Sequence, residues 1–141
     1  PEPLILGFLT AFTLTGASMV VNDVWDRGVD AVNEPSRPIP SGEVSIAEAL
    51  TYAVALIILG LASAYLTNPA CLLVASASLI ISLSYSTIGK KLGLYGNFMV
   101  SACVAIPFIY GGLIYRGLET SSRDLAITLS FAFMAFLYVA Y

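Results

Sequence analysis

The chain has 141 residues, 58% of them hydrophobic and 11% charged, with a mean hydropathy of +0.88 and a formal net charge of −3. Soluble domains carry about 25% charged residues, so this composition points to lipid surroundings, and the acidic balance leaves no basic patch for nucleic acid. With no histidine, imidazole bases, His-based triads and His-ligated zinc are excluded, and any chemistry falls to carboxylates, lysines, arginines and tyrosines.

Apolar residues come in five runs, 4–21, 46–66, 70–88, 97–115 and 124–141, each near the ~20 residues that span a bilayer. They predict an all-α membrane protein, one transmembrane helix bundle forming a single domain over 1–141. The first run lacks a basic n-region and leads into polar residues rather than a cleavage site, so it reads as a span and not as a signal peptide. The chain opens without an initiator methionine and stops inside an apolar run; a larger membrane protein, of which this is a part, is the expectation.

Between the first two runs lies Asn22–Gly42, N-D-V-W-D-R-G-V-D-A-V-N-E-P-S-R-P-I-P-S-G. The window from Asp23 to Glu48 holds eight of the chain's fifteen charged residues. At about 100° per residue, Asp23, Asp26 and Asp30 fall within roughly 60° of one another on a helix, with Asn22 and Asn33 flanking. Like charges on one stripe repel, so the arrangement calls for a cation. Pro35, Pro38 and Pro40 end the helix and stiffen the segment that carries Arg37.

Further along, the link 67–69 is short and uncharged, and 89–96 carries Lys90 and Lys91 as a loop. Cys71 and Cys103 sit far apart inside apolar runs without metal-ligand spacing, as buried free thiols do. Gly60 with Ala64, and the serines near 76–84, permit close helix packing in lipid. Gly89 and Gly93 bracket two lysines and read as a turn rather than a dimer face.

Following the chain through the spans, the charged loop, the Lys90–Lys91 loop and the end at Tyr141 share one face. That face holds Arg27, Arg37, Lys90 and Lys91 against Arg116 and Arg123 on the other, which favours a cytoplasmic position for the charged loop. Ionisable residues avoid the middle of every span, contrary to the pattern of pumps and transporters.

A diphosphate approaching three aspartates is repelled unless a divalent ion intervenes. Mg²⁺ suits the position, because it takes one or two carboxylates together with phosphate oxygens and water. Asn22 offers a carbonyl, Arg37 a planar fork for phosphate oxygens, and Lys90 or Lys91 a further positive charge. An EF-hand calcium loop requires alternating acidic ligands with a central glycine, a pattern missing here. A solvated juxtamembrane helix is the plainer alternative.

N-D-x-x-D-x-x-x-D followed by N-x-P-x-R-P-I-P-S-G resembles the first aspartate-rich motif of the UbiA superfamily of intramembrane prenyltransferases. Weaker resemblance continues at Tyr85–Ser86, Lys90–Lys91, Gly96–Asn97 and 106–112. The resemblance implies a UbiA-type bundle of about nine helices, of which the five here match the second to sixth, around a cavity open to lipid. It implies Mg²⁺-dependent prenyl transfer from a prenyl diphosphate to a lipophilic acceptor in the cell membrane. By the same match, Asn22, Asp23, Asp26 and Asp30 bind Mg²⁺–diphosphate, Arg37 is the arginine after the motif, and Lys90 or Lys91 the basic position before the family's fifth helix. A second aspartate-rich motif is expected beyond Tyr141. Ionisation of the donor leaves an allylic cation, for which the faces of Tyr85 and Tyr110 are candidates.

Among acceptors, N-E-P-S-R-P-I-P-S-G is similar to both archaeal geranylgeranylglyceryl-phosphate prenyltransferases and chlorophyll synthases. S-Y-S-T-I-G-K-K-L-G-L-Y-G-N lacks the Pro-Pro segment of the latter, and V-S-A-C-V-A-I-P-F-I-Y-G-G looks more like the archaeal group. Geranylgeranyl transfer to geranylgeranylglyceryl phosphate is therefore the expectation. Aromatic-acceptor prenylation and chlorophyll esterification are alternatives within the class; a cation transporter or a non-catalytic membrane subunit are alternatives outside it.

Overall fold

The computed structural model describes residues 2–116 and 121–140, with the side chains at 115, 116 and 122 left aside. The first helix, α1 (Glu2–Asn33), has 32 residues, about 48 Å at 1.5 Å per residue. That exceeds a hydrocarbon core of about 30 Å, so its last turns can reach beyond the lipid with the aspartates on them. The apolar run ends at Val21 but the helix does not, because acidic residues interrupt hydropathy without opposing helical backbone. It stops at Asn33, two residues before Pro35, whose ring disfavours helix in the residue before it.

Turns occupy the segment after α1, closed by Arg37 N–H to Glu34 C=O at 3.0 Å and Ser41 N–H to Arg37 C=O at 2.9 Å. Helix α2 (Ile46–Thr67) then begins on a capping box. The Glu48 N–H donates to Ser45 Oγ at 3.2 Å while the Ser45 N–H donates to Glu48 Oε2 at 2.9 Å, satisfying two otherwise orphaned donors. Glu48 is thereby committed to the helix start.

Asn68 connects α2 to α3 (Pro69–Thr87). Its Oδ1 accepts from the Cys71 N–H at 2.8 Å, with Pro69 in the first helical turn, the residue types that favour a helix start. Its Nδ2 donates to the Leu113 carbonyl at 3.1 Å, tying this corner to α4 (Leu94–Arg116). A 3₁₀ turn at Gly89–Lys91 and Gly93, with φ of +55°, join α3 to α4. The stretch 89–96, expected as loop, is thus shorter: glycine at a left-handed position makes the turn in one residue, and helix resumes at Leu94. Gly89 and Gly93 form this turn, as their spacing around two lysines suggests.

Helix α5 (Ser122–Ala140) packs chiefly on α4, while α1 lies along α2 and α3 bridges α1, α2 and α4. All five helices are long and apolar enough to cross a membrane, in agreement with the five predicted spans. Small side chains make the packing close. Ala17, Ala64 and Cys71 are fully buried, the last two in a core with Leu14, Ala75, Leu79 and Tyr110. Larger residues such as Leu4, Phe8, Phe12, Leu73 and Ile80 point outward, as expected where lipid is the solvent and association relies on small residues. Both cysteines are free; Cys71 is buried and Cys103 half-buried. The link between α4 and α5 and the end at Tyr141 lie partly or wholly outside the described residues, so the sidedness expected for them is not addressed by the fold.

Candidate active site

One end of α1 gathers the charge. Lys90 Nζ donates to both carboxylate oxygens of Asp26, at 2.5 and 2.6 Å, and to Asn22 Oδ1 at 3.1 Å. Two glycines and a tyrosine hold the turn that aims it. A Cβ on Gly96 would lie 2.5 Å from the Gly89 carbonyl oxygen, and one on Gly89 would lie 3.2 Å from the Tyr85 ring. The turn therefore rests directly against the first turn of α4 with Tyr85 beside it. The charged loop and the Lys90 turn accordingly lie at the same end of the bundle, as the alternation of spans predicts.

A second group forms on the loop side of α1. Arg37 Nη1 sits 3.0 Å from Asp30 Oδ2 and 3.5 Å from Asp23 Oδ1. Asp30 is buried, whereas Asp23 and Arg37 are about half exposed. Two turns of helix separate Asp23 from Asp30, which places them on one side of α1 within reach of a single guanidinium. Such paired groups differ from an idle, solvated acidic stripe: all three aspartates meet cations delivered from outside α1.

The other polar residues of the motif are turned elsewhere. Arg27 donates from Nη1 to the Val24 carbonyl of its own helix at 3.0 Å. Asn33 and Lys91 are exposed, and Lys91 has no carboxylate within ion-pair distance among the described residues. The structure thus brings Lys90, and not Lys91, onto the aspartates.

Two cavities flank the groups. A space of about 370 Å³ is lined by Asp23, Asp30, Arg37, Pro38, Pro40 and Tyr52 among others. A larger one of about 500 Å³ runs between α1, α3 and α4, from Ser18 and Ser82 toward Tyr110, Gly7 and Ile114. Tyr110 belongs to this wall and Tyr85 does not; Tyr85 instead packs against the Gly89–Gly96 contact. Ser18 and Ser82 share a hydrogen bond of 2.7 Å between their hydroxyls. Sequence reasoning passed over these wall residues. Their signal was the stripe of small side chains Gly7, Ala11 and Ser18 on α1, which share a helical face.

The donors near the aspartates are hard oxygens, the chemistry that Mg²⁺ selects. Among the described residues, no three acidic or thiol side chains converge enough to hold an ion by themselves. An ion held here would therefore share its coordination with phosphate oxygens and water rather than sit in an all-protein cage.

The profile of the UbiA prenyltransferase family matches residues 1–141. The chain is 37% identical over 112 residues to a digeranylgeranylglyceryl phosphate synthase of Saccharolobus solfataricus, covering 79% of this chain and 40% of that protein. A synthase of the same name from Methanospirillum hungatei is 41% identical over 108 residues, covering 76% and 39%. A solved structure from work on digeranylgeranylglyceryl phosphate synthase in membranes superposes with a TM-score of 0.87 at 26% identity, covering 98% of this chain and 47% of that one. The chain thus spans about two fifths to one half of the length of the relatives it matches. A profile match over every residue, and a shared all-helical membrane fold, make this chain a member of the UbiA prenyltransferase family.

Proposed function

We propose that this chain carries the donor-binding part of a prenyltransferase that moves a geranylgeranyl group from its diphosphate to the free hydroxyl of geranylgeranylglyceryl phosphate. In that reaction the bond from the donor's C1 to the diphosphate oxygen breaks, the hydroxyl oxygen bonds C1, and the hydroxyl proton is lost. Support for the acceptor comes from the relatives, which bear the name digeranylgeranylglyceryl phosphate synthase. Support for the chemistry comes from one observation above all: Lys90 and Arg37 meet three aspartates at the end of α1, beside an apolar cavity.

Asn22, Asp23, Asp26 and Asp30 are the residues that would hold Mg²⁺, which when bound screens carboxylate from diphosphate and stabilises charge on the leaving group. Lys90 is positioned to neutralise phosphate oxygens as a compact charge. Arg37 offers its fork to a phosphate while restraining Asp23 and Asp30. Developing negative charge is stabilised best by such preplaced groups in a water-poor site. The apolar cavity excludes water from the other end of the donor. The buried ring of Tyr110 gives that wall an aromatic face, and Tyr85 braces the turn that carries Lys90. The enzyme works in the cell membrane, with the aspartate-bearing end toward the cytoplasm, where four of the six basic residues lie by the count of spans.

Incubating the intact protein in vesicles with labelled geranylgeranyl diphosphate tests this reading. Label should pass to geranylgeranylglyceryl phosphate in the presence of Mg²⁺ and stay on the donor after EDTA treatment. Transfer to an aromatic acceptor or to chlorophyllide instead would replace the acceptor assignment. No transfer to any of the three would favour a non-enzymatic membrane protein.

A further inference from the structure

We infer that Ser18 of α1 and Ser82 of α3 form a hydroxyl-recognition site, which holds the acceptor's alcohol beside the reacting end of the donor. The inference rests on the prenyl-transfer reading and names the residues that would make the acceptor an alcohol.

Four hydroxyls line the large cavity just below the charged end. Ser18 lies four residues from Asn22, the residue that accepts from Lys90, which is about 6 Å of helix rise. Its Oγ is 2.7 Å from Ser82 Oγ. Thr15 and Ser78, each about one turn deeper on the same two helices, line the same space. With one span between them in the chain, α1 and α3 run in the same direction. Ser18 with Ser82, and Thr15 with Ser78, therefore stand at two successive depths.

Hydroxyls in membrane helices are usually spent on their own backbone. Thr10, Ser63 and Ser76 follow that habit, each donating to the carbonyl four residues back. Thr15 and Ser78 depart from it, with no hydrogen-bond partner among the described residues. The Ser18–Ser82 pair is itself short of donors. Its two protons serve three contacts, the mutual one and those to the Leu14 and Leu79 carbonyls at 2.9 and 3.2 Å. Each hydroxyl oxygen has two lone pairs, so the mutual bond leaves three of the four without a donor.

A backbone acceptor stands on the facing helix. Pro107 lies inside α4 and has no N–H, so the Cys103 carbonyl one turn back loses its helical donor. Both residues line the cavity. At its far end, a Cβ on Gly7 would touch Ile114 and the Tyr110 ring. From there Thr15 is eight residues along α1, and Cys103 is seven residues back from Tyr110 along α4. These are about 12 and about 10 Å of rise, so the freed carbonyl and the deeper hydroxyls sit at similar depth.

Such a set calls for a ligand that both donates and accepts. The donor's chain is hydrocarbon and does neither. The acceptor's glycerol has a free hydroxyl close to its phosphate, and a neighbouring oxygen that already bears a chain. With that phosphate at the cationic end of α1, the hydroxyl comes to the level of Ser18 and Ser82. There it donates to a serine lone pair, which leaves its own lone pairs free toward the donor's C1. Thr15 or Ser78 donates to the neighbouring oxygen one turn deeper. A ligand without the hydroxyl would leave these polar groups unpaired, the basis on which sites reject such analogues.

The double variant Ser18→Ala, Ser82→Ala, made in the intact protein and assayed in vesicles, tests the site. KM for geranylgeranylglyceryl phosphate should rise about tenfold, the scale of one hydrogen bond. KM for geranylgeranyl diphosphate should stay within about twofold, which a merely structural loss would not spare. An unchanged acceptor KM, or equal rises for both substrates, would overturn the inference.

Binding without turnover separates the site from the transferase reading. Labelled geranylgeranylglyceryl phosphate is bound to the immobilised intact protein in detergent, with no donor present. Unlabelled acceptor should displace it about tenfold better than the analogue with hydrogen in place of the hydroxyl, and the double variant should show no preference. That preference without transfer would support the hydroxyl site and overturn the transferase reading. Transfer without the preference would do the reverse, and the absence of both would overturn both.

Discussion

Lys90 Nζ touches both carboxylate oxygens of Asp26, a residue 64 positions earlier in the chain. This contact joins the turn before α4 to the end of α1, and it makes the two residues interdependent. Neither is more than about one third exposed, so removing one leaves the other's charge partly desolvated and unpaired, which costs more than the pair itself contributes.

Asp26→Ala and Lys90→Met should each lower kcat/KM for prenyl diphosphate by roughly 10²–10⁴, the effect of losing one charge-stabilising group at a transition state. The double variant should lose much less than the product of the two, since contacting groups act as a unit. Lys91→Met should stay within about threefold of wild type, because an exposed charge that pairs with no carboxylate among the described residues changes little. Initial rates in vesicles decide this; equal damage from Lys90→Met and Lys91→Met would remove the special role given to Lys90.

Arg37 lies between Asp23 and Asp30 with one nitrogen toward both, leaving the rest of its fork for a phosphate. Arg37→Lys retains charge but has no planar fork, and should raise KM for the donor about tenfold with a smaller change in kcat. A KM equal to wild type would mean that Arg37 serves only to anchor the loop, for which an ammonium suffices.

At Gly60, α2 lies directly against α1. A Cβ there would lie 2.6 Å from both Leu14 Cδ2 and Thr13 Oγ1. Gly60→Ala should therefore destabilise the bundle by about 1–3 kcal/mol, the usual scale of overpacking, and shorten the half-life of activity on heating in detergent. Gly28, with nothing within 4 Å of its Cβ position, should accept alanine without loss. Equal half-lives for the two variants would contradict the close α1–α2 contact.

Much was legible without coordinates. Runs of about 20 apolar residues can only be helices or closed barrels in lipid, since every backbone polar group must be satisfied internally; run length then separates helices from shorter strands. Pro35 announced the end of α1, and the i, i+3, i+7 spacing of Asp23, Asp26 and Asp30 placed them on one stripe because helical geometry is local.

Tertiary structure decided the rest. Helices apolar on nearly every side carry no periodicity that tells a lipid-facing side chain from a cavity wall, so the wall that Gly7, Ala11 and Ser18 form around Tyr110 stayed hidden. Lys90 and Lys91 are chemically equal neighbours; only the packing of Gly96 on the Gly89 carbonyl turns one ammonium onto Asp26 and leaves the other exposed. The same holds for Tyr85 and Tyr110: the sequence reading favours Tyr85 as the aromatic face, whereas the fold makes Tyr85 a brace beside Gly89 and puts Tyr110 on a cavity wall. Composition and local spacing determined the membrane helices and the aspartate stripe, because both depend on residues a few positions apart. Which cation meets which aspartate depends on contacts across seven to sixty-four positions, and those exist only once the chain has folded back on α1.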